Sequence, residues 1–287
     1  MRRTTLLRKL LAEERLIIAP GAYDAFSAKI IEKAGFKAVV VGGSSCSASL
    51  LGKPDVGLLT MTEMVQCASN IANAVDLPVL ADAEAGYGSI PNIQRTVMEF
   101  EKAGVAAIYI EDQPHPVKQG IMRKLKQVIP AEEMVMKIRA AVDARSDPDF
   151  VIGARTDADI VSIEEQIRRC NLYGEAGADL VMPLVNKKAE FEHVAREVKT
   201  PLWLNLGAHR DVTAADLRGM GVTGIAAYSV DSILVAATAV LDLMTELRDK
   251  GTVRETVMKP GALLVHDFPN FLGLAEIVER EGKYVTK

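Results

Sequence analysis

Residues 101–113 read EKAGVAAIYIEDQ. A helical stretch closes on Gly104, a run of apolar residues follows without a polar break, and the run ends on the acids Glu111 and Asp112. A glycine that can take the left-handed conformation ends a helix without a Cβ penalty. A short run that is apolar throughout suits a strand buried on both faces, as in a parallel sheet covered by helices. Working outward, seven more runs have this character: LIIAPG from Leu16, FKAVVVGG from Phe36, PVLADAEAG from Pro78, DFVIGARTD from Asp149, ADLVMPL from Ala178, PLWLNLG from Pro201 and VTGIAAYS from Val222. Amphipathic stretches of helical period separate them. Alternation of this kind predicts an α/β fold, here a single (β/α)8 TIM barrel. A weak internal echo accompanies it. Gly35, Gly104, Gly177 and Gly221 each follow a helical stretch and precede the second, fourth, sixth and eighth runs.

The chain has 287 residues, long for one domain but ordinary for a barrel of about 250 residues. No Gly/Ser- or Pro-rich linker divides it. Residues 1–250 are expected to form the barrel domain, with a helix from about Ser232 to Asp249. Residues 251–287 are expected to form a C-terminal helical tail of the same domain. Hydrophobic residues make up 49% and charged residues 25%, which excludes disordered and fibrous classes. The net charge of −4 offers no positive field for a phosphate polymer, so no nucleic-acid partner is expected. No uncharged run approaches a membrane span, and Arg8, Lys9, Glu13, Glu14 and Arg15 interrupt any signal-peptide core. Three scattered cysteines, Cys46, Cys67 and Cys170, make neither a disulfide framework nor a zinc site. Together these features predict a soluble, cytoplasmic protein with no membrane partner.

In a barrel the chemistry sits at the carboxyl ends of the strands. Asp82 and Glu84 end the third run two residues apart, so strand alternation predicts that both face the barrel mouth. Glu111 and Asp112 end the fourth run, Arg155 and Asp157 the fifth, and Asn205 the seventh, with His209 following. Hard oxygen ligands without thiolates or paired imidazoles suit Mg2+, or Mn2+. Arg155 can neutralise a substrate carboxylate by a bidentate contact. The set describes a metal-assisted site for a small anionic oxo or hydroxy acid whose enolate charge falls on the cation. The competing reading is that these acids cap helices or form ion pairs. After the second run, Gly42, Gly43, Ser44 and Ser45 offer amides and hydroxyls to a carboxylate or phosphate, and Asp55 follows Pro54 in a turn. That segment has the spacing of neither a P-loop nor a dinucleotide fingerprint.

Several segments taken together, APGAYDAFSAKI from Ala19, SASLLGKPDVGLLTMTEM from Ser47, DAEAGYG from Asp82, EKAGVAAIYIEDQ from Glu101, IPAEEMVMKIRAAVDAR from Ile129 and DPDFVIGARTDA from Asp147, cover nearly the whole chain. Through them it resembles the isocitrate lyase/phosphoenolpyruvate mutase superfamily, most closely the small methylisocitrate and dimethylmalate lyases and carboxyphosphonoenolpyruvate mutases. The resemblance implies a barrel whose last helix is exchanged between subunits of a homodimer or homotetramer. It implies Mg2+ near Asp82, Glu84 and Glu111, partly through water. It also implies oxo-acid binding by Gly43, Ser44 and Ser45, with Asp55 beside the reacting group and Arg155 on a carboxylate. Asn205 is retained as a further substrate contact.

The departures bear on the reaction. Lyases of the superfamily carry Lys-Arg-Cys-Gly-His on a gating loop after the fourth strand, where this chain reads Val117, Lys118, Gln119, Gly120 and Ile121. Glutamine cannot deliver a proton at neutral pH, so the thiol acid/base is lost. Lys118 is the candidate catalytic group left on that loop, and with Arg123, Lys124 and Lys126 it makes the gate basic, unless these are simply solvated. A Phe-Pro-Glu motif is replaced by Met182, Pro183 and Leu184, and the third-strand Asp-x-Asp by Asp82-x-Glu84. His115, His209 and Asp231 are the other groups available as replacement acids or bases. The expected activity is Mg2+-dependent carbon–carbon cleavage or decarboxylation of a small 2-oxo or 2-hydroxy dicarboxylate through a stabilised enolate. Phosphonate chemistry and a non-catalytic oxo-acid-binding barrel are the alternatives.

Overall fold

The computed structural model describes residues 1–117, 124–185, 187–259, 263 and 265–284. The eight apolar runs are eight parallel strands: β1 (Leu16–Pro20), β2 (Val39–Val41), β3 (Val79–Asp82), β4 (Ala107–Glu111), β5 (Val151–Thr156), β6 (Leu180–Pro183), β7 (Leu202–Asn205) and β8 (Gly224–Tyr228). Their order is β1-β8-β7-β6-β5-β4-β3-β2, and the ring closes between β1 and β2 through a single bridge, Gly21 to Val40. This is the (β/α)8 barrel expected. The four echo glycines all have positive φ, from 82° to 110°, so each ends its helix in the conformation that a Cβ disfavours.

Helices α1 (Arg3–Glu13), α2 (Ala25–Lys33), α3 (Gly43–Leu51), α4 (Met61–Ala74), α5 (Ile90–Lys102), α6 (Ala131–Ala144), α7 (Ile163–Glu175), α8 (Glu190–Glu197) and α9 (Ala214–Gly219) precede or join the strands. Several start on side-chain caps. Asp24 and Ser27 begin α2, and Thr60 and Glu63 begin α4, each as a reciprocal capping box.

Strand alternation splits the core in two. Val79, Ala81, Ile108, Ile110, Ile152 and Ala154 face outward onto the helices, whereas Leu80, Tyr109, Val151, Met182, Trp203 and Ile225 fill the barrel interior. Tyr109 and Trp203 meet edge to face with centroids 4.9 Å apart. They lie one inward position below Glu111 and Asn205 and so floor the carboxyl end of the barrel. At the opposite end, Leu7 and Leu10 of α1 join the interior cluster. Arg8 of that helix donates to Asp179 at 2.7 Å, and Thr4 and Thr5 donate to Asp147 and Asp149.

The chain divides into two compact units, Met1–Ile233 and Leu234–Lys287. Helix α10 spans Asp231–Lys250. From Leu234 on, α10 exposes Val235, Val240, Leu241 and Met244. The second unit also contains α11 (Arg254–Val257), α12 (Phe268–Phe271) and α13 (Leu274–Gly282), and Glu246 accepts from the amides of Glu255 and Thr256. Among the described residues no helix is long and apolar enough to cross a membrane.

Candidate active site

Asp82 ends β3 facing inward, but Glu84 reaches the same place by another route. It lies beyond the strand with φ +52°, and its amide donates to Asp82 Oδ1 at 2.9 Å. A left-handed non-glycine residue is uncommon and gathers at functional sites. Here it folds the Glu84 side chain back toward Asp82, so the two acids share a site through a tight turn and not through the strand pleat. Tyr87, in the same segment, also has positive φ, and its buried hydroxyl has no hydrogen-bond partner among the described residues.

The first turn of α3 meets these acids. Gly43 N donates to Asp82 Oδ2 at 3.1 Å, and Ser44 Oγ donates to Asp55 Oδ2 at 2.8 Å. A Cβ on Gly43 would lie 3.1 Å from Asp82 Oδ2, 3.2 Å from Asp55 Oδ2 and 3.3 Å from Glu84 Oε1. Three carboxylate oxygens thus converge on the space that a glycine leaves open. The N-cap Gly42 supplies no side-chain acceptor, so the amides of Ser44 and Ser45 open the helix without an intrahelical partner. The Ser45 hydroxyl is turned away and donates to Ser229 O at 2.6 Å.

Glu111 and Arg155, register partners on β4 and β5, form an ion pair at 3.0 Å. Arg155 also donates to Asp157 at 2.8 Å, and Gln113 donates to Glu111 at 3.0 Å. Asp157 is paired in addition with Lys126, which holds Asp159 at 3.0 Å. Lys126 therefore neither screens ligands at a basic gate nor sits in solvent, because its ammonium is buried between two carboxylates. Asp112 points the other way, accepting from Thr156, Tyr173, Arg169 and the amide of Asp157, and so ties the ends of β4 and β5 to α7.

Among the described residues the charges at this end do not balance. Asp55, Asp82, Glu84, Glu111 and Asp157 are all buried, with Arg155 and Lys126 as the buried cations among them. Asp157 stays below the usual carboxylate range, because Arg155 and Lys126 outweigh its burial. Glu111 is pushed well above that range by burial, even with Arg155 beside it. One guanidinium serves both acids, and Asp157, with its second cation, takes the larger share. Asp55 is raised to about 6 by burial and then by Asp82. Glu84 is raised to about 9 by burial and by the charges of Asp82 and Asp55, and among the described residues both of its oxygens lack a hydrogen-bond partner. A buried carboxylate without a partner needs a proton or a cation.

That is the test of a divalent cation, and Asp82 and Glu84 pass it as hard oxygen donors with unspent charge. They do not make a closed cage. Among the described residues no group of three or more His, Cys, Asp or Glu side chains is arranged to hold a metal ion. A hard divalent cation that keeps several waters fits such an open set better than a dehydrated ion does.

The remaining expected residues divide. Asn205 ends β7, is exposed, and accepts from the amide of Gly207 at 3.2 Å. Lys118 lies outside the described residues. His209 is bonded to Val185 O at 2.7 Å and meets Phe191 edge to face, a packed structural role, and Asp231 is paired with Arg210. Gln113 was missed, although it stands two residues after Glu111 and that spacing alone places it beside the acid. The Ser229 carbonyl was missed too, and no side-chain motif could have revealed it.

Comparison with known proteins agrees with this geometry. The family profile described as phosphoenolpyruvate phosphomutase matches residues 7–248. The chain is 42% identical to a 2,3-dimethylmalate lyase of Eubacterium barkeri, over 98% of this chain and 97% of that one. It is 43% identical to an oxaloacetate decarboxylase of Ectopseudomonas mendocina, over 69% of this chain and 68% of that one. Among solved structures, a phosphonopyruvate hydrolase in complex with oxalate and Mg2+ superposes with a TM-score of 0.90 at 30% identity, covering all of both chains. The barrel, the acids at its carboxyl end and a match over most of the length lead to one conclusion: this chain belongs to the phosphoenolpyruvate phosphomutase family, within the superfamily that also holds the isocitrate-type lyases.

Proposed function

We propose that this chain is a Mg2+-dependent carbon–carbon lyase that cleaves or decarboxylates a small 2-oxo or 2-hydroxy dicarboxylate. One observation carries the reading: the oxygens of Asp55, Asp82 and Glu84 converge beside Gly43, at the open first turn of α3. The lyase and decarboxylase relatives support the choice of chemistry.

In this reading Asp82 and Glu84, with Glu111 behind them, hold the cation through direct and water-mediated contacts. The bound cation supplies the positive charge that stabilises negative charge developing on the substrate oxygen. Arg155 binds a substrate carboxylate, and the Ser44 and Ser45 amides receive the oxo-acid end. For a 2-oxo dicarboxylate losing CO2, the carbon–carbon bond breaks, its electron pair passes into the enolate of the remaining oxo acid, and that carbon then takes up one proton. Asp55, with its carboxyl near 6 and its Oδ2 held by Ser44, is the group suited to hold or move that proton at neutral pH. The Tyr109 and Trp203 floor keeps water from below. Asn205 is a peripheral substrate contact at most.

The C-terminal unit takes a role in assembly. Val235, Leu241 and Met244 on α10, and Ile277 and Val278 on α13, are exposed, and burying them against a second copy, by exchange of the helix, would remove that apolar surface from water. Light scattering should then return a dimer or tetramer. A cytoplasmic setting accords with three free cysteines.

Calorimetric titration with oxalate, with Mg2+ and again with excess chelator, tests the site. The reading requires binding only with the metal, followed by pyruvate release from oxaloacetate or a substituted malate that Asp82→Ala and Arg155→Ala abolish. The structural likeness to a phosphonopyruvate hydrolase favours one second reading, cleavage of a phosphorus–carbon bond. Phosphate release from phosphonopyruvate, without turnover of the carbon acids, would select it.

A further inference from the structure

Two of the three cysteines lie against each other. Cys46, in the first turns of α3, and Cys67, in the middle of α4, have sulfurs 3.4 Å apart, and both are buried. They are not equivalent. Cys46 is sealed on all sides, whereas Cys67 is 5% exposed and lines a cleft of about 920 Å3 beside Tyr23, Gln66 and Asn70. Cys67 therefore offers the side from which a small polar oxidant would approach, its sulfur 3.5 Å from the Tyr23 carbonyl and the Cys46 sulfur directly behind it. We propose that Cys46 and Cys67 are a peroxide-oxidisable dithiol, with Cys67 attacking and Cys46 resolving, whose disulfide draws α3 toward α4.

The chemistry balances with hydrogen peroxide as the oxidant. The Cys67 thiolate attacks one peroxide oxygen, a sulfur–oxygen bond forms, and the oxygen–oxygen bond breaks to release hydroxide, which leaves as water. The Cys46 sulfur then displaces the hydroxyl of the Cys67 sulfenic acid, forming the sulfur–sulfur bond and a second water. Two thiols lose two electrons, and the peroxide gains them. The division of labour accords with the environments. The contact with Cys46 holds the Cys67 thiol below its ordinary range, while the same contact, burial and the nearby Asp82 and Asp55 push Cys46 up.

The pair bears on the active site because of where Cys46 sits. It directly follows Gly43, Ser44 and Ser45, which engage Asp82, Asp55 and Ser229. Closing the sulfur contact to a bond of about 2.05 Å needs an approach of roughly 1.4 Å. A displacement of about 1 Å in a positioning element is enough to cost on the order of a hundredfold in rate. Cys170 is the internal control. It is fully buried, with its thiol pushed up by burial, and no second cysteine is paired with it.

The experiment treats the full-length protein with one equivalent of hydrogen peroxide, then counts thiols after denaturation and maps peptides. The expected result is a Cys46–Cys67 cross-linked peptide, Cys170 still reduced, and full reversal by dithiothreitol. Cys46→Ala should leave Cys67 as a sulfenic acid trapped by dimedone, and Cys67→Ala should lose no thiol. Amide exchange in the peptide spanning residues 43–51 should change on oxidation of the wild type only. Wild-type protein that keeps all its thiols, or is oxidised at Cys67 without the cross-link, or loses Cys170 as fast, would overturn the dithiol. Cross-linked protein with unaltered exchange at 43–51 would overturn its link to α3. The mapping needs no variant, so a variant that fails to fold leaves the test intact.

Discussion

Arg155 donates to Asp157 Oδ1 at 2.8 Å, and Lys126 holds the same carboxylate as a second cation. With Lys126 in place, Arg155 is only part of what neutralises Asp157, and the guanidinium can also serve Glu111 and an incoming carboxylate. Lys126→Met should therefore do two things. Breaking a buried pair by removing one partner costs about 3–5 kcal/mol, which thermal unfolding will read. Oxalate affinity should fall as well, because Arg155 becomes the sole counter-ion of Asp157, and calorimetry on the folded variant checks that.

Gly43→Ala separates folding from function. Alanine loses less conformational freedom on folding than glycine, a gain of at most about 1 kcal/mol in a helix interior and smaller at this first helical position. Its methyl group, however, would stand 3.1–3.3 Å from oxygens of Asp82, Asp55 and Glu84. The expected result is an unchanged or slightly raised melting temperature with at least a tenfold loss of oxalate binding in Mg2+.

The acids set a pH dependence of stability. Burial and its neighbours carry the Glu84 carboxyl from 4.5 to about 9, and burial carries Asp55 from 3.8 to about 6. A carboxyl that binds its proton more tightly folded than unfolded contributes stability that is fully present below the ordinary value and is lost as pH rises through the folded one. Metal-free protein should accordingly melt at falling temperatures between about pH 4.5 and 9. Millimolar Mg2+ should flatten the alkaline half of that curve, and Glu84→Gln should flatten it without metal. A metal-free melting curve that rises over this range would contradict the charge arrangement.

Gly21→Ala tests the barrel seam. A Cβ there would lie 2.2 Å from Ser229 O, a backbone atom that cannot move aside cheaply. Over-packing of this kind costs about 1–3 kcal/mol or more. The loss should appear in denaturant unfolding, with oxalate binding also weakened because the Ser229 carbonyl anchors Ser45.

The eight strands were legible because each is a short run apolar on both faces, and their ends named most of the acids. Asp82, Glu111 and Arg155 stand where inward alternation puts them. What alternation could not supply was the turn at Glu84, which reaches the site from outside the strand with a positive φ. Nor could it show that Lys126, read as part of a basic gate, is buried by Asp157 and Asp159, since those partners lie 31 and 33 residues onward in the chain. His209 looked chemically available as a residue type and is in fact held by a carbonyl from the loop after β6. A side chain's neighbours, not its kind, decided these cases.

The helix that closes the amino end of the barrel has a consequence for biosynthesis. Arg8 finds its partner Asp179 171 residues further along, and Thr4 and Thr5 find Asp147 and Asp149 more than 140 residues away. On a ribosome this helix emerges well before its partners and must wait, with Leu7 and Leu10 unburied, until β5 and β6 have left the exit tunnel. A segment made well before its partners is thus among the last to be seated, and during that interval it is a natural target for a chaperone that binds short apolar stretches.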